Sequence, residues 1–347
     1  MTVAATPVPD DVAWLESLSP WPVDGFGLER IRALLARLGN PERSFDAVHV
    51  VGTKGKSTAA RRIAATIGGR AYTSPHVEGW HERLQTDPEG FAGAIARVRD
   101  DAQAVGATQF ETITAAGFAD FAARGVRSAA IEAGLGGRYD ATNVLDAKVV
   151  LLTNVGLEHT EVLGETRELI AAEKLAVAGP EAIVVLPDDE FAHLVPGRDL
   201  RFGGAREAAS AFVGRTIELA EASLPGRFER RGEEVRDGAH TPEAVDWLLE
   251  RLPAPHDYVV VASVLRDKDL DGILARLARA GFTLVATRSA NPRALPAADV
   301  AVAARSRFDR VETVDEPEAA LALARSLTRR VLVTGSLYLL ADLSRVE

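Results

Sequence analysis

The chain has 347 residues, a formal net charge of −10, 47% hydrophobic residues and no cysteine. The lack of cysteine excludes a disulfide framework, a thiolate metal site and a cysteine nucleophile, and the negative charge argues against broad binding to nucleic acid or anionic membranes. The N-terminus lacks a signal-peptide pattern and no stretch approaches the ~20 apolar residues that span a bilayer, so we expect a cytoplasmic enzyme.

In chain order, short β-rich runs alternate with helical stretches, and the pattern restarts after a Pro-Gly turn at residues 222–228. The alternation predicts two successive α/β units with parallel sheets. The predicted strands are 47–52, 128–134, 148–156, 257–264, 282–289, 310–315 and 330–336. Clear helical stretches are 57–67, 110–125 and 241–252.

The loop GTKGKST, residues 52–58, follows a predicted strand and opens a predicted helix. It contains two of the five lysines in a chain whose other basic residues are arginines. Glycines at 52 and 55 let backbone N–H groups point inward, and the helix N-terminus adds partial positive charge, as in a phosphate-binding loop. Lys56 could then reach the β/γ-phosphates of a nucleotide, and Ser57 offers a hydroxyl to Mg²⁺. The full motif requires glycine where Val50 stands, so a simple glycine turn stays open as the alternative.

The surrounding sequence FGLERIRALLARLGNPERSFDAVHVVGTKGKST resembles the N-terminal signature of the folylpolyglutamate synthase/dihydrofolate synthase family, within the Mur ligase superfamily. The resemblance continues in family order over nearly the whole chain. Its further blocks are YTSPHVEGWHERLQ, TQFETITAAGF, IEAGLGGRYDATNV, NVGLEHTEVLGETRELIAAEKLAV, LPGRF, DGAHTPEA, RDKDL and TGSLYLL.

The resemblance implies a P-loop ATPase-like domain with a mostly parallel sheet, residues 1–222, and a smaller Rossmann-like α/β domain, residues 223–347. It implies an ATP- and Mg²⁺-dependent amide ligase that adds L-glutamate to a folate-type acid, dihydropteroate or tetrahydrofolate, through an acyl phosphate. The expected partners are these small molecules alone, with no nucleic acid and no membrane, and we expect a monomer. The open alternatives are ligation of a non-folate acid and a nucleotide-binding protein without turnover.

Carried over residue by residue, the family's motifs imply ATP contacts by Gly52, Thr53, Lys54, Gly55, Lys56, Ser57, Thr58, Arg227, Asp237 and His240. The implied metal ligands, for what we expect to be two Mg²⁺ ions, are Ser57, Ser74, Glu132 and His159. The resemblance implies that Ser74, Glu132 and His159 hold the same ion. The implied catalytic residues are Lys56, His159 and Lys174, and Lys174 is expected to carry a carbamate formed with CO₂. The implied substrate contacts are Asp24, Gly25, Phe26, Thr108, Gln109, Phe110, Glu111, Tyr139, Asp140, Ala141, Arg266 and Ser336.

Several of these residues also have ordinary structural interpretations from the sequence alone. Glu132 could be held in a salt bridge, and His159 and Phe110 could belong to the core. Lys174 could lie on a helix surface beside an acid. In the second domain, Arg227 could be a surface turn residue and Asp237 a helix cap.

The chain also departs from the family's pattern. The segment between Lys174 and Arg227 is much shorter, which predicts a reduced central domain, and the connection after HERLQ is shortened. Glu207 stands where an asparagine near the adenine is expected, Thr241 replaces another asparagine, and Glu158 replaces an aspartate. The phosphate and magnesium residues are better preserved than the periphery, which is compatible with an altered acid or amine substrate.

Overall fold

The computed structural model describes residues 10–22 and 25–344, and these residues fall into two compact units. The first unit contains the described residues up to Ala222 except Val77–Gly79. These three residues join the second unit, which continues from Ser223. The sequence did not predict their placement. Val77 is only 4% exposed there, in a core that includes Leu339 and Leu340.

The first unit is built on a sheet whose described strands are all parallel. Its strands are β1 (Asp46–Val51), β2 (Arg70–Tyr72), β3 (Ser128–Glu132), β4 (Val149–Leu152), β5 (Ile183–Leu186) and β6 (Asp199–Phe202). Their order is β2-β3-β1-β4-β5-β6, so the chain leaves β1 at the point where strand order reverses. Ligands of open parallel sheets bind outside the carboxyl ends of strands at such a point.

Helices cover both faces of this sheet. They are α1 (Asp10–Ser17), α2 (Glu29–Arg37), α3 (Lys56–Thr66), α4 (Pro88–Val105), α5 (Gln109–Ala123), α6 (Thr160–Leu163), α7 (Arg167–Leu175) and α8 (Ala205–Val213), with 3-10 turns at Pro41–Arg43, Trp80–Leu84 and Ala192–Leu194. Because successive strand residues point to opposite faces, Val48 and Val50 join the core under α3 and α8, whereas Ala47 and Val51 join the larger core on the other face.

The second unit repeats this architecture with one antiparallel hairpin at its edge. Its strands are β7 (Glu229–Arg231), β8 (Glu234–Arg236), β9 (Val259–Ala262), β10 (Thr283–Ala286), β11 (Arg310–Thr313) and β12 (Val331–Thr334). Its helices are α9 (Pro242–Leu249), α10 (Leu270–Leu277), α11 (Ala297–Ala304), α12 (Pro317–Leu327) and α13 (Leu337–Ser344). The order is β11-β10-β9-β12-β8-β7, and among these described strands only β7 and β8 pair antiparallel.

The predicted α/β class with mostly parallel sheets is confirmed, because every strand predicted from the sequence has a counterpart in one of the two sheets. The hairpin β7–β8 was not predicted; its strands are three residues each and largely charged, so they carry no apolar alternation. Within the described part of the chain, no helix is long and apolar enough to cross a membrane.

Candidate active site

The loop between β1 and α3 requires glycine at two positions. Gly55 is the N-cap of α3 with a φ of 80°, and Gly52 has a φ of 140°. A Cβ at Gly52 would clash with the hydroxyl of Thr153. The loop therefore lies tightly against the end of β4, and α3 begins at Lys56 with its first-turn N–H groups at the sheet edge where ligands bind.

Two lysines converge on one carbonyl oxygen in this loop. Lys56 Nζ donates to Gly52 O at 3.0 Å, and Lys174 Nζ donates to the same oxygen at 2.9 Å. Lys174 comes from the last turn of α7 and is only 1% exposed. The alternative of a helix-surface Lys174 is therefore wrong.

Lys174 also forms an ion pair with Glu158, whose Oε1 lies 2.9 Å from Nζ. Burial lowers the pKa of Lys174 most strongly, the Glu158 carboxylate raises it, and the nearby charge of Lys56 lowers it again. The amine is thus placed where its neutral form is easier to reach than in water.

The Glu132 carboxylate closes the other side of the loop. It ends β3, is 2% exposed, and accepts a hydrogen bond from the Ser57 hydroxyl at 3.0 Å on Oε1. The backbone N–H of Ser74 donates to Oε2 at 2.9 Å. Burial lowers the pKa values of Arg61 and Arg83, and the charge of Glu132 partly offsets this for both. The carboxylate charge of Glu132, together with that of Glu82, thus stabilises two buried guanidinium groups.

These oxygen donors suit a hard divalent cation. The Ser57 hydroxyl and the Glu132 carboxylate are adjacent, and Mg²⁺ in such sites takes one or two protein oxygens and completes its shell with phosphates and water. Among the described residues, no three His, Asp or Glu side chains cluster into a complete metal cage. The chemistry of the donor set thus fits a metal shared with a bound nucleotide.

His159, unlike the buried Glu132, is exposed to solvent. It lies in the left-handed region with a φ of 47°, directly before the short helix α6. Its side chain is 53% exposed, and Nδ1 lies 3.9 Å from Glu161 Oε1. The alternative of a core histidine is therefore wrong. His159 is an accessible imidazole.

The predicted acid-binding residues at the start of α5 are partly used by the helix itself. Thr108 and Glu111 form a capping box, in which the Glu111 carboxylate accepts the Thr108 N–H at 2.8 Å. Glu111 also pairs with Arg30 at 3.2 Å, and Gln109 donates to the Leu15 carbonyl at 3.1 Å. Their polar groups therefore fix the position of the helix end that carries Phe110.

Phe110 contributes an aromatic wall. Its ring centroid lies 6.4 Å from that of Tyr72, and a Cβ at Gly134 would come within 2.5 Å of the ring. The ring is half-buried and packs against the margin of the core.

The loop after β3, residues 133–143, carries Tyr139 outward and Asp140 inward. Tyr139 is 52% exposed, whereas Asp140 is 5% exposed. The Asp140 carboxylate accepts from the backbone N–H groups of Leu135 at 2.8 Å and Thr142 at 3.0 Å. Burial raises the pKa of Asp140, and these hydrogen bonds oppose the rise. Ala141 is buried beside it.

Of the residues predicted before α2, Asp24 lies outside the described residues. Gly25 has a φ of 94°, and Phe26 is 47% exposed with its ring 5.9 Å from that of Trp21. Trp21 and Thr108 also line a cavity of about 550 Å³.

In the second unit, Asp237 and His240 are held by the loop between β8 and α9. Asp237 accepts from the N–H groups of Phe228 at 2.7 Å and Ala239 at 2.8 Å, and burial raises its pKa. The helix cap is Thr241, which accepts from Ala244 N–H, so the alternative of Asp237 as a cap is wrong. His240 Nδ1 lies 2.7 Å from the Gly238 carbonyl.

Three further predicted residues of this unit differ in exposure. Arg227 is half-buried and Arg266 is exposed. Ser336 is 2% exposed, and its hydroxyl accepts the Tyr338 N–H at 3.1 Å.

Comparison with known proteins assigns the family. Residues 226–337 match the family model described as "Mur ligase, glutamate ligase domain". The chain is 30% identical to the dihydrofolate synthase/folylpolyglutamate synthase of Mycobacterium tuberculosis, over 92% of this chain and 88% of that protein. The chain belongs to the dihydrofolate synthase/folylpolyglutamate synthase family. This is a family of ATP-dependent ligases.

Solved structures of the family have the same fold. The folylpolyglutamate synthase of M. tuberculosis, complexed with ADP and AMPPCP, aligns with a TM-score of 0.83 at 27% identity, covering 97% of this chain and 99% of the other. The bifunctional folylpolyglutamate synthase/dihydrofolate synthase of Yersinia pestis, complexed with AMPPNP and a Mn ion, aligns with a TM-score of 0.81 at 25% identity, covering 100% and 99%. Both alignments span the two α/β units.

Two departures from the folylpolyglutamate synthase/dihydrofolate synthase pattern have visible consequences. Glu158 supplies the buried ion pair to Lys174, and Thr241 supplies the cap of α9. A third, Glu207, lies in the first turn of α8, where its carboxylate is 3.8 Å from Arg201.

Sequence reasoning missed three polar residues of the first unit. His49 and Thr142 are both 0% exposed, and Arg83 stacks over Trp80 at 4.7 Å while its Nε donates to His76 at 3.0 Å. His49 had a usable signal, because it is a polar residue inside the apolar run VHVVG.

Proposed function

We propose that this chain is an ATP- and Mg²⁺-dependent ligase that joins L-glutamate to a folate-type carboxylate through an acyl phosphate. The observation that carries the proposal is the convergence of Lys56 and Lys174 on the Gly52 carbonyl, with the Ser57–Glu132 pair beside them. This cluster places two amines, a hydroxyl and a carboxylate at the end of the strand where a nucleotide's phosphates would bind. The family's named activities supply the substrates.

The reaction needs activation because a carboxylate and an ammonium do not condense in water. An oxygen of the acid attacks the γ-phosphorus of ATP and ADP leaves, which gives the acyl phosphate. The glutamate nitrogen then attacks the acyl carbon and loses a proton, and phosphate departs with an oxygen from the acid.

Lys56 acts on the phosphoryl group in this scheme. Its ammonium lies 3.0 Å from Gly52 O and 3.4 Å from Thr53 O, and we propose that it exchanges these carbonyl oxygens for phosphate oxygens when ATP binds. The N–H groups of the 52–58 loop bind the phosphates. Bound Mg²⁺ would neutralise charge on the transferring group. Ser57 and Glu132 would hold it directly, with Ser74 and His159 as the further ligands that the resemblance implies.

Lys174 is proposed to act as a carbamate. The ammonium first loses a proton to give the neutral amine. Addition of CO₂ to that amine then forms an N–C bond and releases a second proton, so that overall a cation is converted into an anion. Burial already lowers the pKa of Lys174, which favours the neutral amine that this reaction needs. The carbamate would have to separate from Glu158, because both groups would be negative.

The acid is proposed to bind along the wall that includes Phe110 and the exposed Tyr139. In the second unit we assign Arg227, Asp237 and His240 to the nucleotide, and Arg266 and Ser336 to the incoming glutamate. Residues 1–222 would then form the ATP-binding domain and residues 223–347 the ligase domain. Monomeric state and cytoplasmic location stay predictions.

The test is a panel of acids assayed with ATP, Mg²⁺ and L-glutamate, in which phosphate release and product mass are measured together. We expect phosphate release only when acid and glutamate are both present, with dihydropteroate or tetrahydrofolate as the best acid and a product heavier by one glutamyl residue. Turnover with non-folate acids alone would contradict the assigned substrate class. Failure to release phosphate with any acid would contradict the proposed ligation.

A further inference from the structure

A chain of hydrogen-bonded, buried polar side chains begins on β1, the strand that leads into the 52–58 loop. His49 is on β1, three residues before Gly52, and is 0% exposed. By strand alternation it points to the same face as Ala47 and Val51, which belong to the larger apolar core. A polar group in such a place destabilises the fold unless it has a partner.

The partner of His49 is Thr142, from the loop that follows β3. His49 Nε2 lies 2.8 Å from Thr142 Oγ1, and that hydroxyl lies 2.5 Å from Asp140 Oδ1. Both Asp140 oxygens also accept backbone N–H groups, which is the geometry of an ionised carboxylate.

The direction of the hydrogen bonds follows from this arrangement. A carboxylate only accepts, so the Thr142 hydroxyl donates to Asp140, and its oxygen must accept from His49 Nε2–H. Nδ1 of His49 is then the unprotonated nitrogen. It is buried and has no hydrogen-bond partner within residues 10–22 and 25–344. Burial lowers the pKa of His49 to about 4, which agrees with a neutral imidazole.

The far end of this chain of hydrogen bonds holds the loop that presents Tyr139. Asp140 ties the N–H groups of Leu135 and Thr142 together across the loop. At its other side, the loop docks on α7, where Arg138 N–H donates to the Glu173 carbonyl at 3.0 Å. The loop is thus fixed at one side by the helix of Lys174 and at the other by the strand that leads into the nucleotide loop.

We propose that His49 is a positioning residue which, through Thr142 and Asp140, fixes the 135–143 loop and thereby sets the affinity for the acid substrate. The inference rests on the proposed function, because that function assigns this loop to the acid. It goes further by giving a role to two buried side chains, His49 and Thr142, to which the proposed function assigns no substrate contact. The structural alternative is that His49 and Thr142 only fill the core, in which case residues of the same shape would serve equally well.

The test compares variants that keep or remove single hydrogen bonds. Thr142→Val keeps the shape and removes the hydroxyl, whereas Thr142→Ser keeps the hydroxyl and removes a methyl group. His49→Gln retains a donor near the Nε2 position, and His49→Leu does not. We expect the KM for dihydropteroate to rise about tenfold in Thr142→Val and His49→Leu. This is the effect of losing one hydrogen bond in a network that ends on the charged Asp140 carboxylate. The KM for ATP should change less than about twofold, and the serine and glutamine variants should recover most of the acid affinity.

A second measurement does not depend on turnover. Hydrogen exchange of the Leu135 and Thr142 amides should be faster in Thr142→Val than in Thr142→Ser, and ring ¹⁵N shifts should show His49 protonated at Nε2. Equal exchange in the two variants, or a proton on Nδ1, would overturn the proposed chain of hydrogen bonds. An unchanged acid KM in a Thr142→Val protein with faster exchange would overturn its role in acid affinity. A wild-type protein that turns over no folate acid would count against the proposed function, and the exchange and shift results would then decide the positioning of the loop by themselves.

Discussion

Glu132 and His159 are predicted to hold the same metal, yet the fold prepares them in opposite ways. Glu132 is 2% exposed, and both of its oxygens already accept hydrogen bonds from Ser57 and Ser74. The side chain of His159 is 53% exposed, and its Nδ1 lies 3.9 Å from Glu161 Oε1, beyond hydrogen-bond distance. The polar side chains around Gly52 are therefore already hydrogen-bonded within the fold, whereas the imidazole of His159 is still open to solvent.

The difference matters because a buried polar group stabilises the fold as well as the reaction. Removing one partner from a buried pair leaves the other unsatisfied, which costs about 1–3 kcal/mol. An exposed side chain can be removed without that cost. Removing buried polar groups around Gly52 should thus change stability and activity together, and removing the exposed side chain of His159 should change activity alone.

Among substitutions in the 52–58 loop, we expect the largest loss of activity at Lys56. Lys56→Ala should lower kcat by a factor on the order of 10²–10³, because it removes a preorganised charge from the transferring phosphoryl group. Steady-state kinetics with saturating ATP measure this, and circular dichroism checks the fold. The control is Lys148→Ala, which removes a lysine paired with Asp46 on the surface and should leave kcat unchanged. More than half of the wild-type activity in Lys56→Ala would contradict the assignment.

Lys174 distinguishes carbamate chemistry from a purely ionic role. Lys174→Arg should be nearly as inactive as Lys174→Ala, because guanidinium is not deprotonated in proteins and cannot take up CO₂. Short-chain carboxylates should partly restore the alanine variant and leave the arginine variant inactive. Carbon-13 NMR with labelled bicarbonate should show a carbamate in the wild type only. A fully active Lys174→Arg enzyme would rule out the carbamate.

The buried His49 should make the free energy of unfolding depend on pH. The pKa of His49 is lowered to about 4 in the folded protein, and the unfolded value is about 6.5. The unfolded state therefore binds more protons between these values, and stability falls as pH drops through this window. The loss from this group is about 3 kcal/mol from pH 7 to pH 4. In urea unfolding, the free energy of unfolding of His49→Gln should therefore fall by about 3 kcal/mol less than that of the wild type over this interval. Parallel stability curves would show that His49 is not buried in neutral form.

The smallest effect sharpens the comparison between the two metal ligands. Glu132→Gln and His159→Ala should both raise the Mg²⁺ concentration needed for half-maximal activity. Only Glu132→Gln should also lower the free energy of unfolding, by about 1–2 kcal/mol, because its carboxylate is buried and hydrogen-bonded. Magnesium titrations and urea unfolding of both variants measure this pair of quantities. Equal destabilisation by the two substitutions would contradict the distinction, and unchanged titrations in both would show that neither holds metal.

The sequence allowed the architecture to be predicted because strand and helix patterns alternate clearly, and because glycine at 52 and 55 has few other uses at a strand–helix junction. It could not show which side chains satisfy each other. The Lys174–Glu158 pair and the inward turn of Asp237 depend on contacts between residues distant along the chain or on local loop geometry.

Polar residues that do not fit the expectation from sequence were informative about contacts in the fold. His49 interrupts an apolar strand, and its explanation lies more than ninety residues away at Thr142. Conversely, Glu111 in a predicted acid-binding block is used in the helix cap and in the pair with Arg30. Residue type and order therefore predicted the strands and helices better than the hydrogen-bond partners of individual side chains.

The most direct test of the central claim follows oxygen from acid to phosphate. Dihydropteroate labelled with ¹⁸O in its carboxylate is incubated with the protein, ATP, Mg²⁺ and L-glutamate, and the released phosphate is analysed by mass spectrometry. The acyl-phosphate route predicts one labelled oxygen in each phosphate released, in step with formation of the glutamyl amide. Amide formed with unlabelled phosphate would contradict that route.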